Sequence, residues 1–126
     1  MRLAGPVFLA LAAAVLLAAC SSGEEENKAV PDDPSVPTIP VTLTDAGCQP
    51  TSFDLPAGDV VFEVSNGGTT KVTEMEVQDA NGHLRGDVEG VEPGQTRSFV
   101  VTLKAGSTYR VRCPEDAPTG GTITVQ

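Results

Sequence analysis

From Val41 to Gln126 the chain alternates apolar and polar residues in short runs separated by turn residues. Such alternation is typical of β-strands with one buried face, and it predicts strands at 41–46, 60–65, 72–78, 98–104, 108–113 and 122–126. Turn-forming pairs such as Asn81-Gly82 and Pro93-Gly94 lie between these runs. No helical period persists in this part. Many short strands at this spacing predict an all-β fold, a Greek-key β-sandwich or barrel.

The same alternation predicts which side chains form the core. In a strand, every second side chain points to the same face. The predicted core residues come from three of the strands: Val60, Phe62 and Val64; Phe99, Val101 and Leu103; Tyr109, Val111 and Cys113. Arg110 and Arg112 fall on the opposite face of the third strand.

Residues 1–19 have the pattern of an export signal. A short apolar run follows Arg2, too short to span a bilayer comfortably. Its end, Leu17-Ala18-Ala19-Cys20, resembles the lipobox of bacterial lipoproteins, in which the cysteine is acylated by chains such as palmitate. An ordinary secretory signal followed by a chance cysteine is the alternative. We expect Cys20 to anchor the protein to a lipid bilayer, on the extracytoplasmic side of the cell membrane.

The segment 20–40 that follows is acidic and rich in proline. It has no hydrophobic period, and it cannot bury enough apolar surface to offset the entropy lost on ordering. We therefore expect it to be an extended, solvated tether. The folded domain is expected to cover residues 41–126.

Two cysteines remain once Cys20 is assigned to lipid. In an oxidising compartment, Cys48 and Cys113 most simply form a disulfide. A domain with few aromatic residues gains from such a crosslink because small cores are marginal. A core-facing cysteine near the end of a strand also suits a metal ligand, so both interpretations stay open.

Residues 41–126 also resemble a known family. VEPGQT before a strand, LKAGSTYRVRC and the final GGTITV are similar to cupredoxin-like domains, and VTLTDAGCQPTSFDLPAG together with Glu74-Met75-Glu76 is similar to the EfeO type of iron-uptake lipoprotein. The chain stops at Gln126, without the helical, imelysin-like domain usual in that type. The resemblance implies a cupredoxin-like β-sandwich and binding of an iron or copper ion.

A type 1 copper site is not expected, because it needs two imidazoles and a thiolate with a weak axial ligand. The chain has one histidine, His83, and beyond the signal one methionine, Met75. We expect His83 to be a solvated residue at the tip of a hairpin turn. No hydrolytic set or phosphate-binding loop occurs, so the protein is not expected to be an enzyme.

Carboxylates are the alternative metal ligands. The resemblance implies Glu74, Glu76, Cys48 and Cys113, and the loop after Cys113 adds Glu115 and Asp116; oxygen ligands suit Fe(III) better than Cu(I). The simpler interpretation is that Glu74 and Glu76 face water from a half-exposed strand. A bulge at Thr73 would turn them towards the loop.

The net charge of −9 disfavours nucleic acid as a partner and raises the local concentration of cations. Two functions remain. The first is a lipoprotein that binds a metal cation as an accessory of metal uptake, with a metal permease as partner. The second is a metal-free module, held by a structural disulfide, that binds another envelope protein.

Overall fold

The structure, a computed structural model, describes residues 28–114 and 120–126, and all of its regular elements are strands. In chain order they are β1 (Thr38–Thr44), β2 (Gly47–Gln49), β3 (Ser52–Leu55), β4 (Gly58–Asn66), β5 (Met75–Gln78), β6 (Leu84–Val88), β7 (Thr96–Leu103), β8 (Thr108–Arg112) and β9 (Gly121–Val125). The prediction of an all-β fold is confirmed. This part of the chain contains no apolar helix of membrane-spanning length.

The strands form two sheets that pack face to face. One sheet has the order β2-β1-β4-β7 and the other β3-β9-β8-β5-β6. Two pairs, β1 with β4 and β3 with β9, are parallel, and the remaining ladders are antiparallel. β1 therefore lies inside the four-stranded sheet, between β2 and β4, and β3 forms an edge of the five-stranded sheet.

The core lies between the sheets and contains the residues that alternation selected. Phe62 stacks on Phe99 with ring centroids 5.4 Å apart, and Phe53 meets Phe62 edge-on at 5.9 Å. Both arrangements are favourable for aromatic pairs. All nine predicted core residues, Val60, Phe62, Val64, Phe99, Val101, Leu103, Tyr109, Val111 and Cys113, are buried in this one cluster.

Three strands were not predicted. β2 is too short for a periodic signal, and β3 (SFDL) alternates but lies close to two prolines. β6 contains Gly86, where a Cβ atom would approach side-chain carbons of Phe99 and Val101 to 3.0 Å. Glycine here lets β6 pack closely on β7, a contact between strands of different sheets that local sequence patterns do not reveal.

The two ends of the sandwich differ. We call the end with Asn66, Val91 and Cys113 the disulfide end, and the end with the turn at 79–83 and the turn at 104–107 the hairpin end. The strand directions require this division, because β4 runs from Gly58 to Asn66, antiparallel to β7, and β5 is antiparallel to β8. The chain enters β1 at Thr38, which pairs with Val61 near the hairpin end.

Part of the expected tether is attached to the domain. Thr38–Pro40 belongs to β1, and the Lys28 ammonium contacts Asp59 at 3.5 Å and donates to the Thr102 hydroxyl. The expectation of a solvated tether up to residue 40 is wrong for these residues. The polar composition of this segment favours a solvated chain. Its prolines, however, lower the conformational entropy that the segment loses on docking. In addition, Asp33 forms a local turn by accepting hydrogen bonds from the backbone and side chain of Ser35.

Asn66 holds the loops of the disulfide end together. It is 4% exposed, and its amide nitrogen donates to the carbonyls of Thr69 and Val91 at 2.9 and 2.8 Å. Its amide oxygen accepts from the backbone nitrogens of Gly68 and Thr69 at 2.8 and 2.9 Å. Buried polar groups are costly when unpaired, and here both ends of the amide are paired.

Replacing Asn66 with Asp should destabilise the protein by about 2 to 4 kcal/mol, because a carboxylate of the same shape cannot donate to the two carbonyls and would be buried against them. Urea unfolding measures the change. Ser65→Ala on the neighbouring half-buried residue is the control, with a small effect expected. A loss in Asn66→Asp no larger than that of the control would show that the amide does not hold the loops.

Candidate functional site

Cys113 follows β8 directly and is bonded to Cys48 of β2. The two Cα atoms are 5.8 Å apart, an ordinary distance for a disulfide, and each residue is 1% exposed. Because β2 and β8 belong to different sheets, the bond joins the two layers of the sandwich at its disulfide end. The predicted disulfide is confirmed.

This bond changes the candidate ligand set. Metal binding by cysteine requires the thiolate, and in this structure neither Cys48 nor Cys113 carries one. The interpretation of these two cysteines as metal ligands, which the resemblance implied, is incompatible with the disulfide. Of the two roles left open for Cys113, the structure shows the crosslink.

Glu76 lies on the outer face of the five-stranded sheet. Its neighbours Met75 and Val77 are fully buried, so alternation turns Glu76 away from the core, with 28% of its side chain exposed. Arg112, its partner on β8, brings a guanidinium nitrogen to 4.0 Å from its carboxylate. Glu76 is therefore half-buried, and its negative charge is partly balanced by Arg112. A glutamate that simply faced water from a half-exposed strand would have neither property.

Glu74 lies just before β5 and is also half-buried. The β5–β8 register ends with Glu76 opposite Arg112, so Glu74 lies just beyond this ladder. The register shift in this region falls between Val77 and Gln78, not at Thr73. The described ladders show no register shift at Thr73, so the bulge that would turn Glu74 and Glu76 towards the loop is not observed.

The remaining candidate ligands, Glu115 and Asp116, lie outside the described residues. Within 28–114 and 120–126, no three His, Cys, Asp or Glu side chains come together in a way that could hold a metal ion. The described carboxylates do not form a cation site by themselves.

His83 lies in the turn between β5 and β6, at the hairpin end, with 71% of its side chain exposed. Its Nδ1 is 3.4 Å from a carboxylate oxygen of Asp79, to which Arg85 donates at 2.6 and 3.1 Å. The hydrogen bonds from Arg85, followed by that from the backbone of His83, lower the pKa of Asp79 far below its ordinary value. The carboxylate of Asp79 thus holds the turn together. The His83 imidazole in this turn lies at the opposite end of the sandwich from Cys113.

A shallow cleft of about 370 Å³ lies where the chain leaves β8 and returns into β9, between Pro114 and Gly120. The return is tight: a Cβ atom on Gly120 would lie 2.6 Å from the carbonyl oxygen of Val111, so no other residue fits without movement. Arg110 and Arg112 line the cleft. Arg110 is exposed, and its guanidinium makes no hydrogen bond or ion pair in the described part of the chain.

Sequence reasoning missed Asn66 and Thr69, the buried polar residues of the disulfide end. Besides its bonds to Asn66, Thr69 donates from its hydroxyl to Asp45, which ties the loop after β4 to the turn after β1. The only signal was the turn-forming Asn66-Gly67-Gly68, which predicted a turn but not the side-chain bonds.

Comparison with known proteins identifies the fold family. The family model described as the cupredoxin-like domain matches residues 8–125, nearly the whole chain. The chain belongs to the cupredoxin-like domain family. No curated protein matches its sequence significantly.

Solved structures of similar fold are cupredoxins of distant sequence. Auracyanin B has a TM-score of 0.65 at 18% identity, over 77% of this chain and 93% of that one. Auracyanin A, described as a blue copper protein of Chloroflexus aurantiacus, has a TM-score of 0.61 at 16% identity, over 71% and 99%. Azurin (Az-iso2) from Methylomonas sp. strain J gives 0.59 at 12% identity, over 73% and 98%. At these identities the likeness shows the fold alone.

The residues of this cupredoxin-like domain do not fit a type 1 copper ion. Its single histidine lies at the hairpin end, the cysteine at the end of β8 is in a disulfide, and Met75 is fully buried in mid-core. A trigonal set of two imidazoles and a thiolate therefore cannot be assembled from these side chains.

Alkylation without reduction should leave Cys48 and Cys113 unmodified in the intact mass, because both are bridged and buried. Replacing both by Ala should cost about 4 kcal/mol of unfolding free energy, since the bond closes a long loop in the unfolded chain. Urea unfolding of the variant and of the oxidised protein measures this cost. Alkylation of both cysteines in the untreated protein would contradict the crosslink.

Proposed function

We propose that this protein is an extracytoplasmic lipoprotein, anchored in the cell membrane through acylated Cys20, whose cupredoxin-like domain is a binding module and neither an electron carrier nor an enzyme. The observation that carries the proposal is the buried Cys48–Cys113 disulfide. Because Cys113 at the end of β8 is bonded to Cys48, it is not available as a thiolate ligand. The fold then serves as a rigid support for a binding surface.

The surface of the module supports this function. The outer face of the five-stranded sheet carries Arg110 without an ion-pair partner in the described residues, beside the cleft next to Pro114. In a chain of net charge −9 an unpaired arginine is available to a partner's carboxylate. An envelope protein that presents a single carboxylate to Arg110, without a run of acidic residues that the net charge of −9 would repel, is the partner that this chemistry favours.

Membrane attachment has a direct test. In cells that produce the full chain, the protein should sediment with membranes, and Cys20→Ser should release it to the soluble extracytoplasmic fraction, because acylation provides its hold on the bilayer. Ser21→Ala, next to the lipobox, is the matched control and should stay with membranes. Membrane retention of Cys20→Ser would contradict lipid anchoring.

A second candidate function is capture of an iron or copper ion as an accessory of metal uptake, as in proteins of the EfeO type, with a metal permease as partner. The observation in its favour is that Glu74 and Glu76 are half-buried instead of fully exposed, with Glu76 opposite Arg112, the residue before Cys113. With the disulfide intact, the ligands would be oxygens, which favours Fe(III) over Cu(I).

A metal assay separates the two candidates. The oxidised protein is dialysed against Fe(III) or Cu(II), and bound metal is measured together with the intact mass. The binding module predicts no stoichiometric metal. Metal capture predicts stoichiometric metal that is lost in Glu74→Gln/Glu76→Gln but kept in Glu63→Gln, a control on the exposed face of β4. Stoichiometric metal with that dependence would replace the first proposal by the second.

A further inference from the structure

The outer face of the four-stranded sheet has an unexpected apolar pair. Val61 and Val100 are cross-strand partners on β4 and β7, and alternation turns them away from the core, where Val60, Phe62, Phe99 and Val101 lie. Yet they are only 5% and 2% exposed. Something other than the second sheet covers them.

The segment 28–37 is attached to this sheet at both of its ends. At one end of this segment, Lys28 contacts Asp59 and Thr102, a cross-strand pair two residues along from Val61 and Val100. At the other end, the carbonyl of Pro37 accepts a hydrogen bond of 2.9 Å from the backbone nitrogen of Val61. Between them the chain reverses at the turn of Asp33, where the nitrogen of Val36 donates to the carbonyl of Asp33 at 3.1 Å.

The segment has apolar side chains for this contact. Pro31, Val36 and Pro37 are half-buried, although they precede the first strand. Burial of apolar surface stabilises a contact in water, whereas an exposed ion pair such as Lys28–Asp59 is screened by water and salt and contributes little. The apolar contact is therefore the main source of attachment, and Lys28 fixes its position. We call residues 28–37 the strap.

The docked strap shortens the connection to the proposed lipid anchor. From Cys20 to Lys28 the chain spans at most about 29 Å when fully extended, and a relaxed chain of that length spans about 16 Å. A free tether up to Thr38 would reach about 60 Å. The sandwich is about 30 Å long, judged from the length of β4 at the usual rise per residue. A connection whose relaxed span is about half the length of the sandwich restricts how far the domain turns relative to the bilayer.

We propose that the strap orients the domain on the membrane, with the hairpin end towards the lipid and the disulfide end towards the partner. This inference rests on the proposed lipid anchor. The strap leaves the sheet beside Asp59 and Thr102, near the hairpin end, so that end lies close to the bilayer. The loops held by Asn66 and the cleft beside Pro114 then face away from it.

Energy transfer from the protein to acceptor-labelled lipids in vesicles tests this orientation. With Cys20 acylated and Cys48 bridged to Cys113, a cysteine introduced at an exposed turn is the single reactive thiol. We label Asn81→Cys at the hairpin end and Glu92→Cys at the disulfide end. Transfer should be several-fold stronger from position 81 than from position 92, because the efficiency falls steeply with distance. Equal transfer, or stronger transfer from position 92, would overturn the proposal.

Two variants assign the effect to the strap. Lys28→Ala/Val36→Ser should reduce the difference between the two labels, because the domain then turns on a longer leash, whereas Lys71→Ala, an exposed lysine at the disulfide end, should leave it unchanged. An unchanged difference in the strap variant would overturn the strap's role. If Cys20 is not acylated in cells, the chain from Ser21 onward is first labelled at its introduced cysteine. Its N-terminal serine is then oxidised to an aldehyde and coupled to an aminooxy lipid, so the orientation is tested apart from the lipidation.

Discussion

The covalent bond between the two sheets is the constraint on which the rest of this protein depends. Cys48 and Cys113 are separated by 65 residues, so the bond restricts most of the unfolded domain, and it compensates for a core with few aromatic side chains. It also fixes the chain where β8 ends and the loop to β9 begins. The same two sulfurs cannot serve stability as a disulfide and metal binding as thiolates, and the structure assigns them to stability.

Much of the fold was accessible from the sequence because alternation and burial have the same cause. β4, β7 and β8 each place every second side chain in the core, and every predicted core residue belongs to the observed core. β6 was missed because Gly86 serves a contact with Phe99 and Val101 of the other sheet, which no local pattern encodes. The strap was missed for a related reason: composition reports the cost of ordering residues 28–37, but not the apolar pair, Val61 and Val100, that compensates for it.

For the candidate site, the sequence named candidate residues without deciding their roles. The pairing of Cys48 with Cys113 followed from counting cysteines in an oxidising compartment, and the structure confirms it. The positions of Glu74 and Glu76 depend on the β5–β8 register and on Arg112, both long-range features. Whether carboxylates converge is decided by the packing of strands distant in sequence, so the metal hypothesis could be formulated from the sequence but not decided.

The hydrogen bonds of Asn66 make the shape of the disulfide end independent of bound metal. A metal ion often joins loops by attracting ligands from separate segments; in this domain a neutral amide joins the loops after β4 and before β7 by four hydrogen bonds. Such a joint needs no ion supply and carries no charge that salt would screen. The disulfide end of the sandwich is thus formed as soon as the domain folds, and a shortage of metal ions in the environment would leave its shape unchanged.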